Sequence, residues 1–83
     1  MKIQVRFFAS LREAFGVSET IDMPEGSTVG ALRDVLLARG GRHAELLARG
    51  RAVRCALNQM LCDESALLTD PAELAFFPPV TGG

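Results

Sequence analysis

The first segment of the chain alternates between apolar and polar residues. In KIQVRF the side chains of Ile3, Val5 and Phe7 share one face, and the polar residues between them share the other. A period of two is typical of a strand with one buried face. Phe8 follows directly and places an aromatic ring on the polar side of this pattern. The segment therefore predicts a half-buried strand with an exposed ring at its end.

Further strands are predicted by the segments SETIDM, AVRCAL and LAFF, which show the same alternation. Asn58-Gln59 predicts a turn from AVRCAL into a brief strand at Met60–Cys62. In the last strand, Phe77 follows an inward Phe76 and therefore faces the same side as Phe8. The residues predicted to face inward in these strands are Ile21, Met23, Val53, Cys55, Leu57, Leu74 and Phe76.

Helices are predicted between the strands. SLRE at Ser10–Glu13 has the spacing of a capping box and predicts a short helix that ends at Gly16. TVGALRDVLLARGG predicts the main helix, capped by Ser27 or Thr28 and ended by Gly40-Gly41, and HAELLARG predicts a shorter helical piece. One side of the main helix is expected to carry Val29, Leu32, Val35, Leu36 and Arg39.

The element order indicates an α+β fold. Two strands, a crossing helix and further strands predict a mixed sheet packed on one main helix. The strands before and after this helix can share a sheet only through a right-handed crossover. The smallest fold of this kind is the β-grasp roll of ubiquitin-like proteins. In such a sheet the first and last strands lie side by side, so we expect Phe8 and Phe77 to form an exposed docking patch, with Leu61 as a third member.

Composition and charge exclude several classes of protein. The chain has 83 residues, enough for one domain, and nine Lys+Arg against ten Asp+Glu give a net charge of −1. A nucleic-acid partner is not expected without a basic face, and a membrane span is not expected without a long apolar run. The first strand pattern begins at once, so we expect a cytoplasmic protein without a signal segment.

Side chains that could carry chemistry are few. Asp63 and Glu64 are adjacent, so on a strand they would face opposite ways, and a metal site is not expected with His43 as the sole histidine. Cys55 and Cys62 have neither a zinc nor a redox spacing, and we interpret them as buried free thiols.

The terminal octet FFPPVTGG is the most specific feature of the sequence. Pro78-Pro79 favour polyproline-like extension, and Val80 and Thr81 favour extended backbone. Gly82 and Gly83 have no side chain and could enter a narrow channel, so the tip presents only a carboxylate. We therefore predict that residues 1–77 form the domain and residues 78–83 an extended, flexible tail.

The sequence resembles the small subunit of molybdopterin synthase, the MoaD-type sulfur carriers, along essentially its whole length. The matching segments are VRFFASLREAFG, EGSTVGALRDVL, ALNQ and the terminal octet. The segment TDPAEL departs from the family, which tends to read closer to DGDEV, and we expect this to alter only the turn before the last strand.

The resemblance implies a sulfur carrier that is not itself catalytic. A MoeB-type activating enzyme would use ATP to adenylate Gly83, and a sulfur donor protein would convert it to a thiocarboxylate. The carrier would then bind a MoaE-type large subunit, which holds the catalytic residues, and donate sulfur to cyclic pyranopterin monophosphate. No cofactor is expected on this chain. Alternatives are a sulfur carrier for another pathway such as thiamin synthesis, a ubiquitin-like modifier, a plain interaction domain and a Cys55/Cys62 redox enzyme.

Overall fold

Within residues 1–78, which the computed structural model describes, five strands form one mixed sheet. The strand order is β2-β1-β5-β3-β4. β1 and β5 run parallel, and the other neighbouring pairs are antiparallel. The α+β fold and the pairing of the first strand with the last are therefore confirmed. The strands are β1 (Lys2–Phe7), β2 (Ser18–Asp22), β3 (Arg54–Leu57), β4 (Met60–Cys62) and β5 (Ala72–Phe77).

Three helices connect these strands: α1 (Ala9–Phe15), α2 (Val29–Leu37) and α3 (Gly41–Leu46). Thr28 caps α2, because its side-chain oxygen accepts a hydrogen bond from the amide of Ala31 at 3.1 Å. The predicted cap is confirmed. The helix ends at Leu37, earlier than the glycine pair, and Gly40 lies at a φ of 73° where the chain turns into α3.

The hydrophobic core fills the space between one face of the sheet and the helices. Alternate residues of β1 and β5 are buried, as the pattern of two predicts. The largest fully buried side chains are Phe7, Phe76, Ile3, Leu32, Leu36, Leu47, Leu74, Val5 and Val29. Val35 was expected on the buried side of α2, but this expectation is wrong because the side chain is 42% exposed.

The start of α1 also differs from the prediction. Phe8 precedes the helix without a side-chain cap, and Ser10 lies inside it, so the predicted capping box is wrong. The amide of Phe8 donates to the carbonyl of Phe76 at 3.1 Å, and the carbonyl of Phe8 accepts from the amide of Leu11 at 3.1 Å. Pairing with β5 therefore fixes where the helix starts. The predicted end at Gly16, with a φ of 94°, is confirmed.

The buried residue on this part of α2 is Arg33 rather than Val35. Arg33 is only 6% exposed, and its Nε and Nη2 donate to the carbonyls of Leu47 and Ala48 at 2.8 and 2.9 Å. Glu64 Oε2 lies 3.9 Å from Arg33 Nη1. The planar guanidinium thus ties the helix to the segment after α3, and no buried side-chain polar atom within residues 1–78 lacks a partner.

Glu64 also anchors a surface ion pair. Arg49 donates to its carboxylate from Nε at 2.9 Å and from Nη2 at 2.6 Å, and Arg49 Nη1 contacts Asp34. The hydrogen bond from Arg49 holds the pKa of Glu64 below its ordinary value of 4.5. The same contacts raise the pKa of Arg49. This pair connects the turn after β4 to α2.

Candidate docking face and carrier tail

Phe8 and Phe77 lie together on the sheet face that points away from the helices. Both side chains line one open hollow of about 540 Å³. Phe8 is 40% exposed and Phe77 is half-buried. The remaining lining residues are Arg6, Ala56, Gln59, Glu73 and Ala75. We call this surface the docking face.

Strand register explains why the two rings meet. β1 and β5 are parallel, with Phe7 opposite Phe76. Successive side chains of a strand point to opposite faces, so the residues that follow this buried pair are both directed to the other face of the sheet. Because Phe8 is 40% exposed, α1 leaves its ring accessible to a partner.

Leu61 lies on the same face but farther along the sheet. It pairs with Ala56 across β3 and β4, and Ala56 pairs in turn with Ala75 of β5. Two strand spacings therefore separate Leu61 from Ala75, about 10 Å. Leu61 is 67% exposed and does not line the hollow of Phe8 and Phe77. It extends the apolar surface toward the edge of the sheet.

Two charged residues border the rings and were missed in the sequence. The guanidinium carbon of Arg6 lies 5.5 Å from the centre of the Phe8 ring, within the range of a cation–π contact. Arg6 Nη1 is also 3.8 Å from Glu73 Oε2. The signal was present, because alternation places Arg6 and Glu73 on the same face as the exposed rings. The docking face is therefore apolar with a charged border.

The predicted tail begins beside this face. β5 ends at Phe77, and the half-buried Pro78 lines a smaller hollow of about 240 Å³ near α1 and α3. The other tail residues of the prediction lie outside the described residues, and they are Pro79, Val80, Thr81, Gly82 and Gly83. The boundary between domain and tail stays a prediction.

The side chains of Asp63 and His43 are engaged in structural contacts. Asp63 accepts hydrogen bonds from the amide and hydroxyl of Ser65, which hold the pKa of its carboxyl below the ordinary range. The ring of His43 stacks on Phe15 with centres 4.1 Å apart, and burial lowers the pKa of its imidazole. In the described part of the chain, no three His, Cys, Asp or Glu side chains are grouped to hold a metal ion. None of the helices in residues 1–78 is long and apolar enough to cross a membrane.

Comparison with known proteins gives one consistent result. Residues 5–83 match the model of the ThiS family. The molybdopterin synthase sulfur carrier subunit of Escherichia coli is 44% identical over 81 residues, which cover 98% of this chain and 99% of that protein. A complex of subunits 1 and 2 of the molybdopterin-converting factor from Helicobacter pylori contains a chain with a TM-score of 0.71 and 28% identity, and both chains are covered in full.

The fold is also that of ubiquitin. The ubiquitin of Caldiarchaeum subterraneum has a TM-score of 0.64 and 17% identity, covering 100% of this chain and 98% of the other. At this identity the likeness shows the β-grasp architecture alone. The family match covers almost the whole chain, including the terminal octet, and the bacterial carrier aligns with 98% of this chain. The chain therefore belongs to the ThiS family, among the sulfur carrier subunits of molybdopterin synthase.

Proposed function

We propose that this chain carries sulfur on the carboxylate of Gly83 and donates it, within molybdopterin synthase, to cyclic pyranopterin monophosphate. One observation carries the proposal: the exposed rings of Phe8 and Phe77 meet where β5 ends, immediately before the tail, in a chain that matches the carrier family through residue 83. A partner that covers the docking face would receive the tail in its own active site.

The chemistry requires activation by another protein. A carboxylate oxygen of Gly83 attacks the α-phosphorus of ATP, and pyrophosphate leaves. Hydrosulfide delivered by a sulfur donor protein then attacks the carbonyl carbon, AMP leaves with its bonding electrons, and a thiocarboxylate and a proton remain. The ATP is bound by the MoeB-type activating enzyme, and this chain binds no cofactor of its own.

The catalytic groups are assigned to the large subunit. The carboxylates and the histidine discussed above are engaged in turns, ion pairs and stacking, which supports a carrier without its own acid or base. Gly82 and Gly83 have no side chains, and Pro78, Pro79, Val80 and Thr81 favour an extended backbone. We propose that these residues span the distance between the docking face and the partner's substrate.

The partner is the MoaE-type large subunit. A solved complex of subunits 1 and 2 of the converting factor from Helicobacter pylori supports such an assembly. Phe8, Phe77 and Leu61 would supply the apolar contact, and Arg6 and Glu73 the charged border, which matches the usual arrangement of an interface core and rim. The cytoplasmic location stays a prediction.

Intact-protein mass spectrometry tests the proposal. The full chain is incubated with ATP, a MoeB-type enzyme and sulfide, and we expect a mass gain equal to the replacement of one oxygen by sulfur. The gain should be absent without ATP and absent when Gly83 is deleted. Arg42→Ala, at an exposed position on α3, is the matched control and should gain the same mass as the native chain.

Transfer is then measured with the large subunit and cyclic pyranopterin monophosphate. We expect the thiocarboxylate to revert to carboxylate as molybdopterin forms. Exchange that persists without Gly83 contradicts the carrier proposal. Exchange followed by transfer only to a thiamin precursor, or attachment of the chain to lysine side chains, supports instead one of the alternative pathways.

A further inference from the structure

Cys55 and Cys62 face each other across the β3–β4 hairpin. They are directly opposite in register, and their Sγ atoms are 3.6 Å apart. Both are free thiols. The interpretation of two buried cysteines is correct for Cys55, which is 8% exposed, but wrong for Cys62, which is half-buried.

The hairpin geometry allows a bond between them. Asn58 and Gln59 form a two-residue loop with positive φ angles of 49° and 70°. In such a hairpin the two residues that flank the loop form the closing pair and exchange both backbone hydrogen bonds. Hydrogen-bonded and non-hydrogen-bonded pairs then alternate along the two strands. The cysteine pair is two steps from the closing pair, so it is again a hydrogen-bonded pair. The Cα atoms of such a pair are about 5.5 Å apart. Disulfides span Cα distances of about 4.4–6.8 Å, so the sulfurs can be joined without separating the strands.

The two thiols differ in how a reagent reaches them. Both cysteines line an open hollow of about 600 Å³ at the edge of the sheet, together with Arg33, Asp63 and Glu64. Burial, together with the contact to Cys62, raises the pKa of the Cys55 thiol to about 12, so Cys55 keeps its proton at neutral pH. Cys62 is the more exposed of the two cysteines, so we expect an oxidant in the hollow to meet it first.

We propose that Cys55 and Cys62 form a reversible intramolecular disulfide when the folded protein meets a peroxide. The sulfur of Cys62 attacks one peroxide oxygen and forms an S–O bond, the O–O bond breaks, and the displaced hydroxide takes the thiol proton and leaves as water, which gives a sulfenic acid. The sulfur of Cys55 then attacks the sulfur of Cys62, and its proton leaves with the hydroxyl as a second water. Two thiols are oxidised by two electrons, which the peroxide accepts.

The disulfide would link the edge strand β4 covalently to β3. β4 has three residues, lies at the end of the strand order and presents Leu61 on the opposite face from the sulfurs. A bond from Cys62 to Cys55 would fasten this short strand to β3, which pairs with β5. The site depends on the hairpin alone and is independent of the chemistry proposed for Gly83.

The test is peroxide treatment of the folded full chain. Peroxide is removed before the protein is unfolded, and free thiols are then alkylated and counted by intact mass. We expect the treated monomer to lose two hydrogen atoms and to accept no alkyl group, and dithiothreitol to restore two alkylation sites. Cys55→Ser and Cys62→Ser should each fail to form the monomeric disulfide.

A parallel reaction in urea tests whether the disulfide forms because of the fold or only because the two cysteines are close in the sequence. Because the hairpin holds the sulfurs together, we expect the disulfide to form at least about tenfold faster in the folded protein. Two alkylatable thiols after peroxide, a disulfide only between molecules, or equal rates in urea would each overturn the proposal. All three of these outcomes are measured on the native chain, so the test remains valid even if a serine variant fails to fold.

Discussion

Truncating Phe8 to alanine should weaken binding to the large subunit without unfolding the carrier. The ring is 40% exposed, and the whole residue presents about 200 Å², so about 80 Å² of apolar surface is free for a partner. At about 25 cal/mol per Å², covering this area contributes about 2 kcal/mol. We therefore expect Phe8→Ala to raise Kd about thirtyfold.

The fold should tolerate this change. Phe8 is held by backbone hydrogen bonds to Phe76 and Leu11, which alanine can still make. The side-chain contacts that are lost include the cation–π contact with Arg6, which contributes about 0.5–1 kcal/mol at an exposed site. The buried part of the residue, about 120 Å², contributes at most about 3 kcal/mol by the same area rule, so urea denaturation should show a loss of free energy of unfolding between these values.

Isothermal titration calorimetry with the large subunit is the measurement, and Val35→Ala is its matched control. Val35 is 42% exposed but lies on α2, on the opposite side of the sheet. Its truncation should change Kd less than about twofold, since it removes no surface from the docking face. A folded Phe8→Ala carrier with unchanged affinity, or an equal loss for Val35→Ala, would refute the assignment of the docking face.

Three further predictions concern stability. Arg33→Met removes two hydrogen bonds from a charged donor, one to a buried and one to a partly buried carbonyl, and should lower the free energy of unfolding by about 3 kcal/mol in urea titrations. Arg33→Lys should recover less than half of this loss, and a loss below about 1 kcal/mol for Arg33→Met contradicts the role of the guanidinium. Gln59→Gly relieves a φ of 70° and should raise stability by about 0.5 kcal/mol, whereas a loss would mean that glutamine adopts this angle without strain. The pKa of Glu64 is lower in the folded state, so the stability it contributes is present above its ordinary pKa of 4.5 and is lost as the pH falls. Urea midpoints between about pH 6 and about pH 3 should fall less in Arg49→Gln than in the native chain, and parallel curves would contradict this linkage.

The sequence predicted the strands and their buried faces well, because alternation reports directly which side of a strand meets the core. Ile3, Val5 and Phe7 are buried as expected, and so are Leu74 and Phe76. The pairing of the first and last strands also followed from the element order. Both results depend on short-range patterns combined with the handedness of crossovers.

Errors arose where distant segments decide local structure. The start of α1 is set by the hydrogen bond from Phe8 to β5, which the local SLRE pattern does not contain. On α2, Arg33 is buried and Val35 is exposed, because two backbone carbonyls of a later segment accept hydrogen bonds from the Arg33 guanidinium. Helical periodicity ranks an arginine as polar and cannot detect such acceptors.

The cysteine pair was within reach of sequence reasoning. Once Asn58-Gln59 is taken as a two-residue turn, counting three residues outward on each side places Cys55 opposite Cys62. A spacing of seven matches no zinc or redox motif along the chain, but the strand register brings the two residues face to face. Register converts a distant spacing into a direct contact.

The parallel pairing of β1 with β5 has a consequence for synthesis of the protein. The docking face is built from both ends of the chain, with Phe8 beside Phe77, and the pairing joins residues almost the full length of the domain apart. Contacts of such long sequence separation form only when the last strand is available. A chain still emerging from the ribosome, or one truncated before β5, has no complete face with which to occupy a partner. Under the proposed function, completion of the fold would act as a checkpoint, because only a chain with β5 in place presents both rings to the large subunit.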